Sequence, residues 1–230
     1  KLEIKNKYNI DFKFSQNFKY NLFPMPHFVT KSSSILDKNN EVSKINKLKI
    51  FISLDKLFSS KNLSIKDLVI ENANFNINSK NYNFFFKLLD QNFKNAGLQI
   101  NNSNIFFRNP EDEVLFINKI LKLKYYYEIN ELKNIFYSEN EIFNVPFSME
   151  SLYDKDKNNF ISKIDLSSMN LKIFNELKFR EESKLGKSTF VFNNSKKTVE
   201  YEIKKDFFKF HIFDKIDNPN LSYKGEFNFK

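Results

Sequence analysis

The sequence contains no cysteine, which excludes disulfide bonds, cysteine-ligated zinc sites and thiol catalysis. It also contains no tryptophan and only 3 glycines and 5 prolines among 230 residues. These glycines are too few to build a glycine-rich phosphate-binding loop. Nucleotide-binding folds based on such a loop are therefore excluded. No apolar run is long enough to cross a bilayer, and we expect no membrane-spanning helix within this sequence.

Arginine is nearly absent as well, and occurs only at Arg108 and Arg180. Lysine therefore supplies most of the net charge of +9, which is the balance of 37 basic and 28 acidic residues scattered along the chain. Proteins that read phosphates or base edges favour arginine, because its planar fork of donors binds them bidentately. We therefore expect no nucleic-acid partner.

Phenylalanine is abundant, with 29 Phe and 10 Tyr in a chain that is 41% hydrophobic. Apolar residues alternate with Lys, Asn and Ser, and this period of two predicts antiparallel strands with one apolar face. The regular rows include Leu121, Leu123, Tyr125, Tyr127 and Ile129, and also Val199, Tyr201 and Ile203. Strands are predicted at 4–14, 48–54, 63–70, 73–77, 98–107, 114–129, 142–149, 160–173, 187–193, 198–204, 207–213 and 221–229.

The predicted fold is mainly β: a curled antiparallel sheet or groove of about 10–14 short strands, with one or two short helices capping an end. Because the connections are short turns rich in Asn, Asp and Lys, residues 1–230 are interpreted as a single elongated β-rich domain. The clearest helix is predicted at about 80–94, where five apolar residues follow helical spacing. Further short helices are predicted as alternatives at 54–58 and 129–138.

Residues that carry chemistry are scarce. Neither His27 nor His211 has a companion at metal-ligand spacing, so we interpret them as ordinary turn and strand residues. The acidic residues at 111–113, 139–141 and 181–182 are neighbours, as in solvated turns, and no serine has the Gly-x-Ser-x-Gly context of a hydrolase. The sequence predicts no enzymatic activity, no catalytic residue, no metal site and no cofactor.

Residues 20–120 resemble the N-terminal region of the AsmA-like family. The match consists of an ordered set: Pro24-Met-Pro26, the strand at 48–57, the paired segment at 63–77, a small helix, and the strand at 98–109. This order and spacing extend over nearly half of the chain.

Two features depart from the family pattern. The N-terminal anchor helix of the family is not in this sequence, and Ser103 stands where the family has Ala or Gly, a difference expected to have little effect. Since the chain starts at Lys1 in a strand-like rhythm, we expect that a signal or anchor helix has been removed. Residues 121–230 match only the expectation of further strands of the same sheet.

Members of that family are β-sheet grooves that are anchored in the inner membrane and are implicated in envelope assembly and phospholipid movement. The resemblance implies a periplasmic protein, anchored to the bacterial inner membrane by a helix outside this segment. It implies a hydrophobic groove that binds or conducts phospholipid acyl chains between the inner and outer membranes. The residues expected to line the groove are Ile50, Ile52, Phe75, Ile77, Ile105, Phe107, Leu123, Tyr125, Phe190, Phe192, Tyr201 and Ile203.

An open trough lined by the first six of these residues would favour the lipid groove, whereas a packed core would count against it. The alternative interpretation is a non-enzymatic structural or protein-interaction β-sandwich of the cell envelope, in which the apolar faces simply pack together.

Overall fold

A computed structural model describes residues 2–15, 17–53, 64–89, 97–128, 133–154, 157–193, 195–213 and 222–228. The helices are α1 (Leu2–Tyr8) and α2 (Tyr82–Leu89), and Ser167–Met169 form a 3₁₀ turn. The strands are β1 (Asp11–Lys13), β2 (Phe18–Asn21), β3 (His27–Asp37), β4 (Asn40–Ile52), β5 (Ile65–Ile77), β6 (Gly97–Arg108), β7 (Val114–Glu128), β8 (Lys133–Ile142), β9 (Val145–Asp154), β10 (Asn159–Leu166), β11 (Leu171–Phe179), β12 (Lys184–Phe192), β13 (Ser195–Ile203), β14 (Phe207–Phe213) and β15 (Ser222–Asn228). The prediction of a mainly β, curled antiparallel sheet with one or two short helices is confirmed: the sheet is curled and unclosed, with two short helices. No helix in the described ranges is long and apolar enough to cross a membrane.

The chain divides into two compact units, Lys1–Asn144 and Val145–Lys230. In the first unit, β1 and β2 both pair with β3, and the sheet continues in the order β4, β5, β6, β7, β8. In the second unit, each strand from β9 to β14 pairs with the next strand in the chain. The treatment of 1–230 as a single domain stays a prediction.

The strands β5 and β6 form a parallel pair, and α2 lies in the connection between them. A parallel pair needs such a crossover, because a tight turn can join only antiparallel strands. The Oδ1 of Asn78 accepts hydrogen bonds from the backbone N–H groups of Lys80 and Asn81 and so organises the turn that starts α2. The predicted helix at 80–94 is thus present at Tyr82–Leu89, and its remainder at 90–94 lies outside the described residues.

An irregular row crosses the sheet of the first unit. Ser32, Asn72 and Asn102 have left-handed backbones, with φ of 56°, 55° and 48°. None of these three residues has a paired partner in the register of its strand, and the same is true of Asn46 in β4 and Leu121 in β7. The five residues lie side by side in one line across β3 to β7. Asparagine tolerates positive φ better than most residues, which explains its recurrence in this line. The strand continues through this row, so the two predicted strands at 63–70 and 73–77 are parts of the single strand β5.

The prediction of a strand over 4–14 is wrong for its first part, because Leu2–Tyr8 form α1. Ile4 and Tyr8 are four residues apart and share one helical face, and both are buried against the sheet. Asp11–Lys13 alone form a strand in this segment.

Two further predictions need correction. The described part of the alternative helix at 129–138 is strand, since Lys133 begins β8. The predicted strand at 160–173 is β10 and β11, which are separated by the 3₁₀ turn and the left-handed Asn170. The alternative helix at 54–58 lies outside the described residues.

Candidate functional site: two apolar sheet faces

The first unit has one apolar sheet face, here called the inner face. Residues directly opposite in neighbouring strands point to the same side of a sheet. The registers place successive rows on this face: Phe28, Ile50, Leu68, Leu98, Tyr125 and Phe136; Thr30, Leu48, Ile70, Ile100 and Leu123; Ser33, Ile45, Ala73, Ser103 and Ile120; Ile35, Ser43, Phe75 and Ile105; Ile77, Phe107 and Phe116. Ile52 lies opposite Ile65 on the same side. All eight groove residues predicted in this unit therefore share one face.

Much of the inner face is a packed core. Ile4 and Tyr8 of α1 belong to the same buried cluster as the central rows, and Phe84 and Phe85 of α2 pack against it. The Phe75 and Phe85 rings meet edge to face, with centroids 6.4 Å apart. Of the predicted groove residues, five are buried: Ile50, Ile52, Phe75, Leu123 and Tyr125. This is the closed arrangement that counts against an open trough at these five positions.

The remaining three predicted residues of this unit, Ile77, Ile105 and Phe107, are only half-buried. The Phe107 ring stacks on Phe116 at 4.4 Å between centroids. The inner face is therefore least covered at the end that carries Phe107.

Tyr8 connects α1 to the sheet beneath it. Its hydroxyl donates a hydrogen bond to the carbonyl oxygen of Gly97 at 3.1 Å and lies 3.3 Å from that of Lys66. Burial, followed by the negative charge of Asp67, raises the pKa of Tyr8 far above its ordinary value. The phenol thus stays neutral and keeps its role as a donor.

The second unit also has one apolar face, here called the open face. Its rows are Tyr153, Phe160, Leu177, Gly186, Tyr201, Phe210 and Gly225; Ser151, Ser162, Asn175, Ser188, Val199, Ile212 and Tyr223; Met149, Ile164, Ile173, Phe190 and Lys197; Leu166, Leu171 and Phe192; Phe179, Lys184, Ile203, Phe208 and Phe227. Lys184 and Lys197 are thus the two charged residues of this otherwise apolar or polar set. The predicted residues Phe190, Phe192, Tyr201 and Ile203 all lie on the open face. Within the described part of this unit the only helical segment is the 3₁₀ turn, and Phe192 is 49% exposed.

Aromatic rings form a continuous layer on the open face. Tyr201 lies directly opposite Gly186, and Phe210 lies directly opposite Gly225. A Cβ on Gly186 would stand 1.9 Å from Cζ of Tyr201, so the ring occupies the space that a side chain would fill. Phe208 adds ring contacts to Tyr201 at 5.8 Å and to Phe210 at 6.0 Å. Covering a strand glycine with a cross-strand ring stabilises the strand pair.

A short polar row interrupts the open face, which the sequence analysis missed. Ser151, Ser162, Asn175 and Ser188 lie side by side across β9 to β12. The Oδ1 of Asn175 accepts hydrogen bonds from the Tyr201 hydroxyl at 2.6 Å and from the Ser188 hydroxyl at 2.7 Å. The signal was present in the sequence, because Ser162 and Asn175 continue the parity of the apolar residues beside them.

The opposite side of the second unit, here called the charged face, carries alternating charges. Lys187 faces Glu200 at 3.5 Å, and Lys209 faces Glu226 at 3.1 Å. A depression of about 850 Å³ lies among these charges and extends to His211. Another depression, of about 520 Å³, is lined by residues of β4 to β8 that include Lys122, Lys124, Tyr126 and Tyr137. Charged side chains thus contribute to the walls of both depressions.

The two histidines have different environments. His27 is buried, its Nδ1 lies 2.7 Å from the carbonyl oxygen of Met25, and its ring stacks on Phe51 at 4.8 Å. His211 lies opposite Glu200 and Lys224 on the charged face. In the part of the chain that the structure describes, no group of three or more His, Asp or Glu residues is arranged to hold a metal ion.

No known family model and no curated protein matches this chain. The two sheet faces and the resemblance noted above are therefore the basis for a functional assignment.

Proposed function

We propose that this protein serves envelope biogenesis by binding or conducting phospholipid acyl chains on the open face of its second unit. The observation that carries the proposal is the exposure of aromatic side chains in that face, with Phe192 49% and Phe227 59% exposed. Both side chains belong to one apolar sheet face, and exposed apolar side chains that share a face can form a binding surface. Each methylene buried on it contributes about 0.8 kcal/mol, without any directional or catalytic group.

In this proposal Phe190, Phe192, Tyr201 and Ile203 contact the acyl chain, whereas the five buried residues of the inner face form the supporting core. The resemblance of residues 20–120 to the AsmA-like family supports a periplasmic location and transfer between the inner and outer membranes. An anchor helix outside this segment would attach the protein to the inner membrane.

The second candidate is a non-enzymatic structural or protein-interaction β-sandwich. The packed inner face favours it, because α1 and α2 show that this chain closes one apolar face with its own residues. The same exposed aromatic residues would then bind the apolar surface of another protein. The first candidate therefore predicts that Phe192 contacts a lipid acyl chain, and the second predicts that it contacts a protein.

Photo-crosslinking at two phenylalanines distinguishes the candidates. Phe192 lies on the open face, and Phe174 lies on the charged face with a similar exposure of 42%. We would replace each in turn by benzoylphenylalanine, incubate the protein with vesicles of phosphatidylethanolamine and phosphatidylglycerol, and detect adducts by mass spectrometry. Lipid adducts at 192 but not at 174 are expected. Equal yields at both positions, or none at 192, would overturn the proposal.

Substitution provides the second arm of this test. Phe192→Asp places a charge on the open face and should lower the amount of phospholipid retained in native mass spectra. Phe174→Asp is the matched control and should retain as much as the unmodified protein. Melting curves for both variants show whether the fold is intact, so a loss of binding can be assigned to the face itself.

A further inference from the structure

The strand β15 has one edge without a strand partner among the described residues. It pairs with β14 through residues 222–228, and it is the last strand in the order of the sheet. An unpaired edge presents backbone N–H and C=O groups that can form hydrogen bonds with another extended chain. The side chains of β15 then determine which extended chain can pair with this edge.

The residues of β15 are complementary to themselves about Gly225. Lys224 and Glu226 flank the glycine on the charged face, and Tyr223 and Phe227 flank it on the open face. If two copies of β15 run antiparallel with their Gly225 residues opposite, Lys224 of each faces Glu226 of the other. Tyr223 of each then faces Phe227 of the other. Opposite charges and aromatic pairs directly across an antiparallel pair are both stabilising.

We propose that β15 of one molecule pairs with β15 of a second copy, in this register, to form a two-fold homodimer. Such an interface is isologous, so every cross-strand pair except the central pair of Gly225 residues occurs twice. The sheet already uses the same charge pairing, because Lys209 of β14 faces Glu226 of β15 at 3.1 Å. Tyr223 and Phe227 are 60% and 59% exposed, and the pairing joins them into rows that continue from Ile212 and Phe208.

Charge reversal tests the pairing. Lys224→Glu places two glutamates opposite each other at both symmetry-related positions, and Glu226→Lys places two lysines there, so each variant alone should be monomeric. An equimolar mixture of the two variants should restore the dimer, because one strand then carries two glutamates and the other two lysines. The measurement is sedimentation velocity over a range of protein concentrations.

The controls separate this effect from a loss of folding. Glu226→Lys also removes the ion pair with Lys209 inside the chain, but recovery in the mixture can come only from pairing between chains. Lys196→Glu changes the net charge equally at an exposed position of β13 opposite Val191, and it should leave the dimer intact. A chain that is monomeric at every concentration, or a mixture that fails to associate, would overturn the proposal.

Cysteine cross-linking tests the register. Opposite residues of an antiparallel pair have Cα atoms about 4.5–5.5 Å apart, within the range for a disulfide. Because the chain has no cysteine, the double variant Tyr223→Cys with Phe227→Cys should form intermolecular disulfides. Tyr223→Cys alone should not, since its two copies lie four residues apart along the strands, or about 13 Å. Equal cross-linking of the single and double variants, or none in the double variant, would contradict the proposed register.

Discussion

The Oγ of Ser103 accepts a hydrogen bond of 3.0 Å from the backbone N–H of Ala73 in the neighbouring parallel strand. The same hydroxyl donates to the carbonyl oxygen of Asn101 at 2.8 Å. Both contacts lie beside the irregular row, where the regular ladder of β5 and β6 is interrupted. Ser103 therefore satisfies a backbone donor that an apolar residue at this position would leave unpaired.

Ser103→Ala should lower the free energy of unfolding by about 1–3 kcal/mol, because it leaves the buried N–H of Ala73 without an acceptor. Urea denaturation measures the loss. Ser33→Ala is the matched control, since Ser33 lies in the same row and is buried, but its Oγ makes no hydrogen bond. Equal losses in the two variants would show that the hydroxyl of Ser103 has no special role.

Gly186→Ala should destabilise the second unit by about 1–3 kcal/mol, because the new methyl group overlaps the ring of Tyr201 and forces it to move. In the background of Tyr201→Ala the same substitution should cost little, since the ring is gone. Thermal unfolding of the four proteins of this double-mutant cycle measures the coupling. Additive effects would mean that the ring does not lie over the glycine in solution.

Tyr8→Phe should cost about 1 kcal/mol at neutral pH through the lost hydrogen bond to Gly97. Since burial raises the pKa of Tyr8 in the folded state, its contribution is complete below the unfolded value of 10.0 and declines as the pH rises above it. The difference in stability between the two proteins should therefore shrink as the pH rises above about 10 in denaturation experiments. The control is Tyr20→Phe, at an exposed tyrosine of β2, which should cost less at neutral pH because that side chain is not buried.

Glu71 joins two lysines on the side of the sheet opposite the inner face. Its carboxylate oxygens lie 2.8 Å from Nζ of Lys47 and 2.5 Å from Nζ of Lys49. Partial burial by itself raises the pKa of Glu71, but the hydrogen bonds and positive charges of the two lysines outweigh it and lower the pKa overall. The carboxylate therefore stabilises the fold above its ordinary pKa of 4.5, and this contribution is lost as the pH falls through the lower folded-state value.

Glu71→Gln should accordingly cost up to about 1 kcal/mol at pH 7, and the cost should diminish below about pH 4. Chemical denaturation at several pH values checks both parts. Glu141→Gln, which removes a single ion pair with Lys119, should cost less at pH 7. A cost for Glu71→Gln that is independent of pH would rule out an electrostatic origin.

The alternation of apolar residues predicted correctly which side chains share a face on each side of the irregular row. The apolar positions of β5 are even at Leu68 and Ile70 and odd at Ala73 and Phe75, yet all four point inward because Asn72 shifts the phase. From the sequence, this change of parity is interpreted as a break between two strands. Local sequence does not distinguish a turn between two strands from one continuous strand with a left-handed residue, since Asn is common in both.

The cover over the inner face could not be predicted from the strands themselves. The apolar residues Ile4, Tyr8, Ile10, Phe12 and Phe14 all have even numbers, so they satisfy the strand period, while Ile4 and Tyr8 also satisfy the helical one. The helix is favoured because it buries Ile4 and Tyr8 on strands that are distant in the chain. Which of two apolar faces is covered depends on such long-range packing.

The irregular row has a consequence for how the strands of the first unit align. Each strand from β3 to β7 has one residue in the irregular row. The residues on either side of it pair with those of the adjacent strand only when the row residues of the two strands lie side by side. A strand that shifted its register would move its own residue out of the row and lose the pairing on both sides of it, and a shift by one position would also turn its apolar side chains outward. The row therefore acts as an alignment mark across five strands, and it disfavours every shifted pairing that simple alternation would tolerate.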